Sequence, residues 1–160
     1  MAANHAAEHA GARPRVLFLC TGNSCRSQMA EGWAKALRAD VLRAYSAGTE
    51  PHGMNRLAIA CMAEAGVDIT SHTSKHARAL QAELGENAFD YVITVCDSAH
   101  EACPVFLGAP KVMHFGFDDP PRLAKGAQND EEALVFYRRV RDEIKAFVEK
   151  LPGLLTGDVR

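Results

Sequence analysis

The sequence predicts an α/β domain of three layers built on a central four-stranded parallel sheet, and three observations carry that expectation. Short β-branched or apolar runs alternate along the chain with segments whose apolar residues recur at helical spacing. At 160 residues the chain has the length of one domain that buries its own core. No internal repeat is seen, and strands alternating with helices throughout imply a parallel sheet covered on both faces. Residues 1–13 read as a flexible tail and residues 14–160 as the single domain.

Each element has its own warrant. Arg15-Val16-Leu17-Phe18-Leu19 is an apolar run of buried-strand type. It gives way to the polar loop Cys20-Thr21-Gly22-Asn23-Ser24-Cys25-Arg26-Ser27, after which Met29, Trp33 and Leu37 share a helical face with Ala30, Ala34 and Ala36 nearby. Val41–Ser46 predicts the second strand, ending at Ala47-Gly48. Asn55 is placed to cap a helix containing Ile59, Met62 and Ala65 and stopped by Gly66. His72–Leu84 is a weaker helical zone. Tyr91–Val95 is a β-branched strand ending at Cys96, and Lys111–Phe115 a fourth strand. Gly116–Asn129 reads as a loop carrying Asp118-Asp119-Pro120-Pro121. The last helix runs from Asp130 to Leu151 on a stripe of Phe136, Val140, Ile144, Phe147 and Leu151, and ends at Pro152-Gly153.

Charge and composition narrow the function classes. The formal net charge is −2 with no long basic run, which argues against nucleic acid or an anionic membrane as partner. No apolar stretch has the length to span a bilayer, and the Ala- and His-rich N-terminus lacks the apolar core of a signal peptide. The expected compartment is the cytoplasm, where thiols stay reduced. The five cysteines therefore point to catalysis, redox exchange or burial rather than to a disulfide framework. Cys61, beside Ile59 and Met62 on a helix, reads as core. His5-Ala6-Ala7-Glu8-His9 fits a zinc-protease pattern but lies in the tail with no evident third ligand, so no metal is expected there.

Sites in open α/β sheets form beyond the carboxyl ends of the strands, and Cys20, Cys96 and the Asp118-Asp119 loop all follow strands. Cys20-x5-Arg26-Ser27 between strand and helix is the chemistry-bearing unit. A tight loop entering a helix aims the backbone N–H groups of Thr21 to Arg26 at one point, and the helix dipole adds positive potential. Arg26 adds a bidentate fork suited to a tetrahedral oxyanion. The same field favours the nucleophilic thiolate form of Cys20, with Ser27 as hydrogen-bond donor to it and Asn23 holding the loop by side-chain-to-backbone bonds.

The run Val16 to Gly32, together with Tyr45-Ser46-Ala47-Gly48, Gly116-Phe117-Asp118-Asp119-Pro120 and Arg139-Val140-Arg141-Asp142-Glu143-Ile144, resembles the arsenate reductases built on the low-molecular-weight tyrosine phosphatase fold. The resemblance spans Arg15 to about Leu151. It implies that Cys20 attacks arsenate and that Asp119, fixed in an extended pose before Pro120, protonates the departing oxygen, with Asp118 as rival. Read without the family, Asp-Asp-Pro-Pro is ordinary turn chemistry. Cys25 looks like a family feature without an essential role.

Cys96 and Cys103 separate the reductase from a phosphatase acting on phosphotyrosine, which needs neither. Were residues 97–103 helical in the reduced state, the two Cα atoms would lie about 10 Å apart. A disulfide wants about 4.4 to 6.8 Å, so oxidation would have to unwind that helix. The resemblance implies that Cys96 attacks Cys20 and releases arsenite, that Cys103 then attacks Cys96, and that the Cys96–Cys103 disulfide moves outward to be reduced by thioredoxin. No bound redox cofactor is then needed, and a monomer is expected. Some relatives hold potassium behind the loop. Asn23, Glu31 and Ser46 match that shell, but Lys75 stands where an acidic ligand is expected, so its ammonium is expected to replace the ion. A redox or arsenical sensor that binds without turnover is the third reading, and the presence of Cys20, Arg26 and Asp119 together argues against it.

Overall fold

The computed structural model describes residues 13–106 and 111–156. Four strands, β1 (Arg15–Cys20), β2 (Arg43–Gly48), β3 (Tyr91–Thr94) and β4 (Lys111–His114), form one sheet in the order β2-β1-β3-β4, every pair parallel. Among the described residues the helices are α1 (Arg26–Leu37), α2 (Arg56–Glu64), α3 (Ala77–Leu84), α4 (Pro120–Leu123), α5 (Asp130–Val148) and α6 (Gly153–Thr156), with a 3-10 turn at Ala124–Gly126. The architecture is the three-layer one expected, on a four-stranded parallel sheet. Apart from Arg13, the predicted tail lies outside the described residues, and so does the His5/Glu8/His9 pattern.

β1 is buried on both faces, which is why it reads as a continuous apolar run. Val16 and Phe18 join Met29, Trp33, Val140 and Ile144 in one core; Leu17 and Leu19 join Leu80, Phe89 and Val92 in the other. The layers are unequal: α1, α2 and α5 cover one face, and the short α3 with the Phe89 segment covers the other. β1 is followed by β2 on one side and flanked by β3 on the other, so the strand order reverses between β1 and β3. The crevice at such a reversal is where ligands bind in open parallel sheets. Cys20 ends β1, and Cys96 lies two residues beyond β3.

Several boundaries differ from the sequence expectation, each for a local reason. β2 begins at Arg43, not Val41, because Val41 and Leu42 donate backbone bonds to Arg38 O in a turn that ends α1. Leu37, expected on the core face, is 37% exposed, since the last turn of α1 runs past the sheet. The zone from His72 becomes helical only at Ala77, where the His76 imidazole accepts from Arg78 N–H as the cap. Asp119, followed by Pro120 at the first helical position, starts the short α4 inside the expected loop. In α5 the buried stripe is Ala133, Leu134, Tyr137, Val140, Ile144 and Phe147, with Phe136 only half-buried, and the helix ends at Val148 before a turn that buries Leu151. Asn55 caps α2 as expected, accepting from Leu57 and Ala58 N–H at 2.9 and 3.0 Å, and Gly66 follows at φ 85°. Among the described residues, no helix is long and apolar enough to cross a membrane.

Candidate active site

The loop from Cys20 to Arg26 is held from below and from the side. Asn23 adopts φ 46°, a left-handed conformation that its side-chain bonds stabilise: Oδ1 accepts from the Lys75 backbone N–H and from Gln28 Nε2, both at 3.0 Å. The segment after β2 is laced to the loop by three backbone bonds, Glu50 N–H to Thr21 O, His52 N–H to Gly22 O and Asn55 N–H to Ser24 O. Gly48 permits that approach. A Cβ there would lie 2.4 Å from Thr21 O and 3.0 Å from Asn23 N. Cys25 caps α1 without a side-chain bond, so the first N–H groups of the helix are left for an anion.

Cys20 sits at the bottom of this cradle, 3% exposed. Its Sγ accepts from Asn23 N–H at 3.2 Å and lies 2.9 Å from Ser27 Oγ. Ser27 Oγ in turn accepts from Asn23 Nδ2 at 2.9 Å, which turns the hydroxyl proton toward the sulfur. Cys25 is also buried, and burial pushes its thiol well above the ordinary value. It stays protonated and is a poor nucleophile. Cys61 is core as expected, with burial pushing its thiol up to about 11.

Arg26 reaches across the cleft from the start of α1. It donates to Phe117 O at 3.0 Å and Glu101 Oε1 at 2.8 Å, and lies 3.6 Å from Asp119 Oδ1. Burial works against its charge, but the Glu101 hydrogen bond and the Asp119 charge outweigh it and hold the guanidinium protonated. Asp119 is shifted up: burial is the main cause, Arg26 pulls the other way and Glu101 pushes up again. Asp118 turns away to pair with Arg139 of α5 at 2.9 Å, while Asp119 lines the cleft with Cys20. That cleft holds about 380 Å³.

Cys96 and Cys103 form a disulfide with a Cα–Cα distance of 5.8 Å. Between them Asp97–Glu101 forms a turn, with His100 and Glu101 N–H both bonded to Asp97 O, so in this oxidised form the segment is not helical. Cys96 is fully buried and Cys103 half-buried.

Behind the loop, Glu31 is buried at the centre of a polar cluster. Ser46 Oγ donates to Glu31 Oε1 at 2.5 Å, and Lys35 Nζ to Oε2 at 2.5 Å. Lys75 Nζ is 4.0 Å from Oε1 and bonds Thr73 O at 2.7 Å. Burial lowers the pKa of Lys75 and likewise that of His72, whose Nε2 is 3.7 Å from Glu31. The direct support that Lys75 gives Asn23 therefore runs through its backbone N–H, and Lys35 is the nearest cation to Glu31. A cavity of about 480 Å³ opens beside these groups, larger than the cleft but lined by no cysteine.

Glu101, Gln28, Lys35 and His72 were not singled out by the sequence. Glu101 sits within the Cys96–Cys103 segment, and only the path of that turn brings it to Arg26. Gln28 and Lys35 follow the loop on α1 and are set by helix phase, whereas His72 depends on the course of an irregular segment.

A loop of this form on this sheet defines a cysteine-dependent oxyanion enzyme, and the chain belongs to the low molecular weight phosphotyrosine protein phosphatase family, whose model matches residues 15–159. Within it, the chain is similar to arsenate reductases. It is 49% identical over 129 residues to the arsenate reductase of Bacillus subtilis (strain 168), covering 81% of this chain and 88% of that one. It is 47% identical over 138 residues to that of Halalkalibacterium halodurans, covering 84% and 94%. A solved arsenate reductase in its phosphate-binding state superposes with a TM-score of 0.67 at 34% identity, covering 86% of this chain and 95% of the other.

Proposed function

We propose that this enzyme reduces arsenate to arsenite through a three-cysteine relay recycled by thioredoxin, in the cytoplasm, as arsenic detoxification. The Cys96–Cys103 disulfide beside the Cys20 loop carries the reading, since a phosphatase needs no second thiol pair. Arsenate is held by the loop N–H groups and Arg26, which exchanges Glu101 for the oxyanion. The Cys20 thiolate, oriented by Ser27 and Asn23 N–H, attacks arsenic, and Asp119 gives its proton to the leaving oxygen so that water departs. Cys96 then attacks Cys20 Sγ. The sulfur–arsenic bond breaks and its electron pair leaves with arsenic, which departs as arsenite. Cys103 attacks Cys96, restoring Cys20 as thiolate, and an external dithiol reduces the disulfide that remains.

Two protein thiols supply the two electrons, so the reaction needs no bound redox cofactor. Asn23, Glu31 and Ser46 support the loop. The ammonium groups of Lys35 and Lys75 near Glu31 supply the positive charge that a monovalent cation provides in some relatives. Arsenate turnover unchanged when potassium replaces sodium supports that assignment; a clear rise with potassium refutes it. Hydrolysis of an aryl phosphate at a low rate is expected as a by-product, because Cys20, Arg26 and Asp119 serve both chemistries. The reading is tested by arsenate-dependent oxidation of thioredoxin: turnover supports it, and aryl phosphate hydrolysis without arsenate reduction returns the chain to the phosphatases.

A further inference from the structure

We propose that, once the disulfide is reduced, Cys96, Cys103 and His114 bind a soft divalent cation of the zinc and cadmium type through two thiolates and one imidazole. The two sulfurs and one ring nitrogen of His114 all lie within 4.8 Å of one another. They come together because β3 and β4 are paired in register, Thr94 opposite His114, so the residues just past Thr94 face the ring. The site itself does not depend on arsenate chemistry; only its inhibitory consequence rests on the relay proposed above.

The imidazole is arranged as a ligand. Its Nδ1 is 2.8 Å from Thr94 Oγ1. In the tautomer that donates Nδ1–H to that hydroxyl, Nε2 keeps the free lone pair that a metal needs. Gly116 leaves room beside it: a Cβ there would stand 2.9 Å from both His114 Nε2 and Cys96 O, which puts Nε2 on the Cys96 side of the ring.

The thiols fit as well. Reduction by an external dithiol adds two electrons and two protons and gives two thiols. A divalent cation then displaces both thiol protons, and the resulting centre is neutral. Around a tetrahedral ion with metal–sulfur bonds of about 2.3 Å, the sulfurs separate to about 3.8 Å, a small opening of the present bridge. The Cα–Cα distance of 5.8 Å accommodates that without moving the strand ends. Thiolate and imidazole donors select zinc-group ions over magnesium or calcium, and three protein ligands leave one position for water. Bound there, the ion holds residues 97–103 in the turn seen in the oxidised form and occupies both resolving thiols. The relay stops reversibly, without oxidation.

The test is a cadmium titration of the reduced full-length protein under anaerobic conditions, with nitrogen-15-labelled histidine and cadmium-113 detection. The expected result is one cadmium per chain, two cadmium–thiolate bonds by ultraviolet absorbance, and a scalar coupling between cadmium and one histidine nitrogen. His114→Ala and His114→Gln, checked for folding by circular dichroism, lose the coupling and bind at least tenfold more weakly. Thr94→Val keeps the coupling and weakens binding by about tenfold or more, the usual scale for a group that orients a ligand histidine. Cys103→Ser lowers the thiolate count to one. Cadmium bound with unchanged affinity in both His114→Ala and Cys103→Ser, as for an ion on Cys20 and Cys25, overturns the proposal, and so does an absence of histidine coupling in the unsubstituted protein. Arsenate turnover measured on the same preparations, free of cadmium, reports on the relay separately.

Discussion

At the residue scale, Asp119 is the most consequential assignment. Burial raises its pKa, so it retains its proton further toward neutrality than an exposed aspartate does. In its proposed role as proton donor its active fraction falls as pH rises through the raised value, and kcat is expected to fall on that limb. Asp119→Asn should lower kcat by about 10²- to 10⁴-fold and remove that limb from the pH profile. The same shift has a stability consequence that runs in the same direction with pH. The folded carboxyl binds its proton more tightly than the unfolded one. Its contribution is therefore full below the unfolded pKa and declines as pH rises through the folded value. At neutral pH Asp119→Asn is accordingly expected to raise Tm while it lowers activity; thermal unfolding at pH 7 and pH 4 reads the difference. Glu101 is the counterpart that the sequence did not reveal. Its pairing with Arg26 at 2.8 Å places a carboxylate where an oxyanion must go. In the oxidised form, Glu101→Gln should tighten phosphate binding several-fold by calorimetry; an unchanged Kd would show that Glu101 yields the position without cost. The placement of Cys20, Arg26 and Asp119 around one cleft, with Ser27 beside Cys20, was legible because one loop and one dipeptide carry them. Glu101 and His114 were not, because each gains its meaning from a partner on another element.

At the element scale, legibility follows how much of an element's geometry is local. The cap at Asn55 and the stop at Gly66 are backbone chemistry written in adjacent residues, and both are found where the sequence put them. Asn55→Ala should cost about 1 kcal/mol of stability, measurable by urea unfolding, and it also removes the bond from Asn55 Nδ2 to the buried Tyr137 hydroxyl. The α5 stripe was harder to phase. Phe136 and Tyr137 are adjacent aromatics, and the phase set by Ala133, Leu134, Val140 and Ile144 puts the second in the core, where its hydroxyl accepts from Asn55 Nδ2. Ile144 sits on the part of the stripe that both readings share and is fully buried. Ile144→Ala should cost about 2–5 kcal/mol, with little change in KM for arsenate, since it lies in the core and not in the cleft. The start of β2 was misplaced because Val41 has strand propensity, yet the Arg38 carbonyl captures its N–H in the turn that closes α1.

At the scale of the whole molecule, the parallel order β2-β1-β3-β4 makes the site. It sets the ends of β1 and β3 side by side at the point where the strand order reverses, and so brings an anion loop and a thiol pair together from segments some seventy residues apart. Strand alternation in the sequence was enough to place Cys20, Cys96 and Asp119 at one rim. It did not show that the segment from Cys96 to Cys103 also carries Glu101 into the cleft, because a turn's path is not set by periodicity. The proposed relay runs through all three cysteines at that one rim, and its central claim is that Cys103 is needed for repeated turnover. The most direct measurement is NADPH oxidation on addition of arsenate, with thioredoxin and thioredoxin reductase present, comparing the unsubstituted protein with Cys103→Ser. Sustained arsenate-dependent oxidation that is lost in Cys103→Ser, with a Cys20–Cys96 disulfide trapped after one turnover, is the predicted result. Equal multiple turnover by both proteins, or none by the unsubstituted protein while it still hydrolyses an aryl phosphate, would contradict the account.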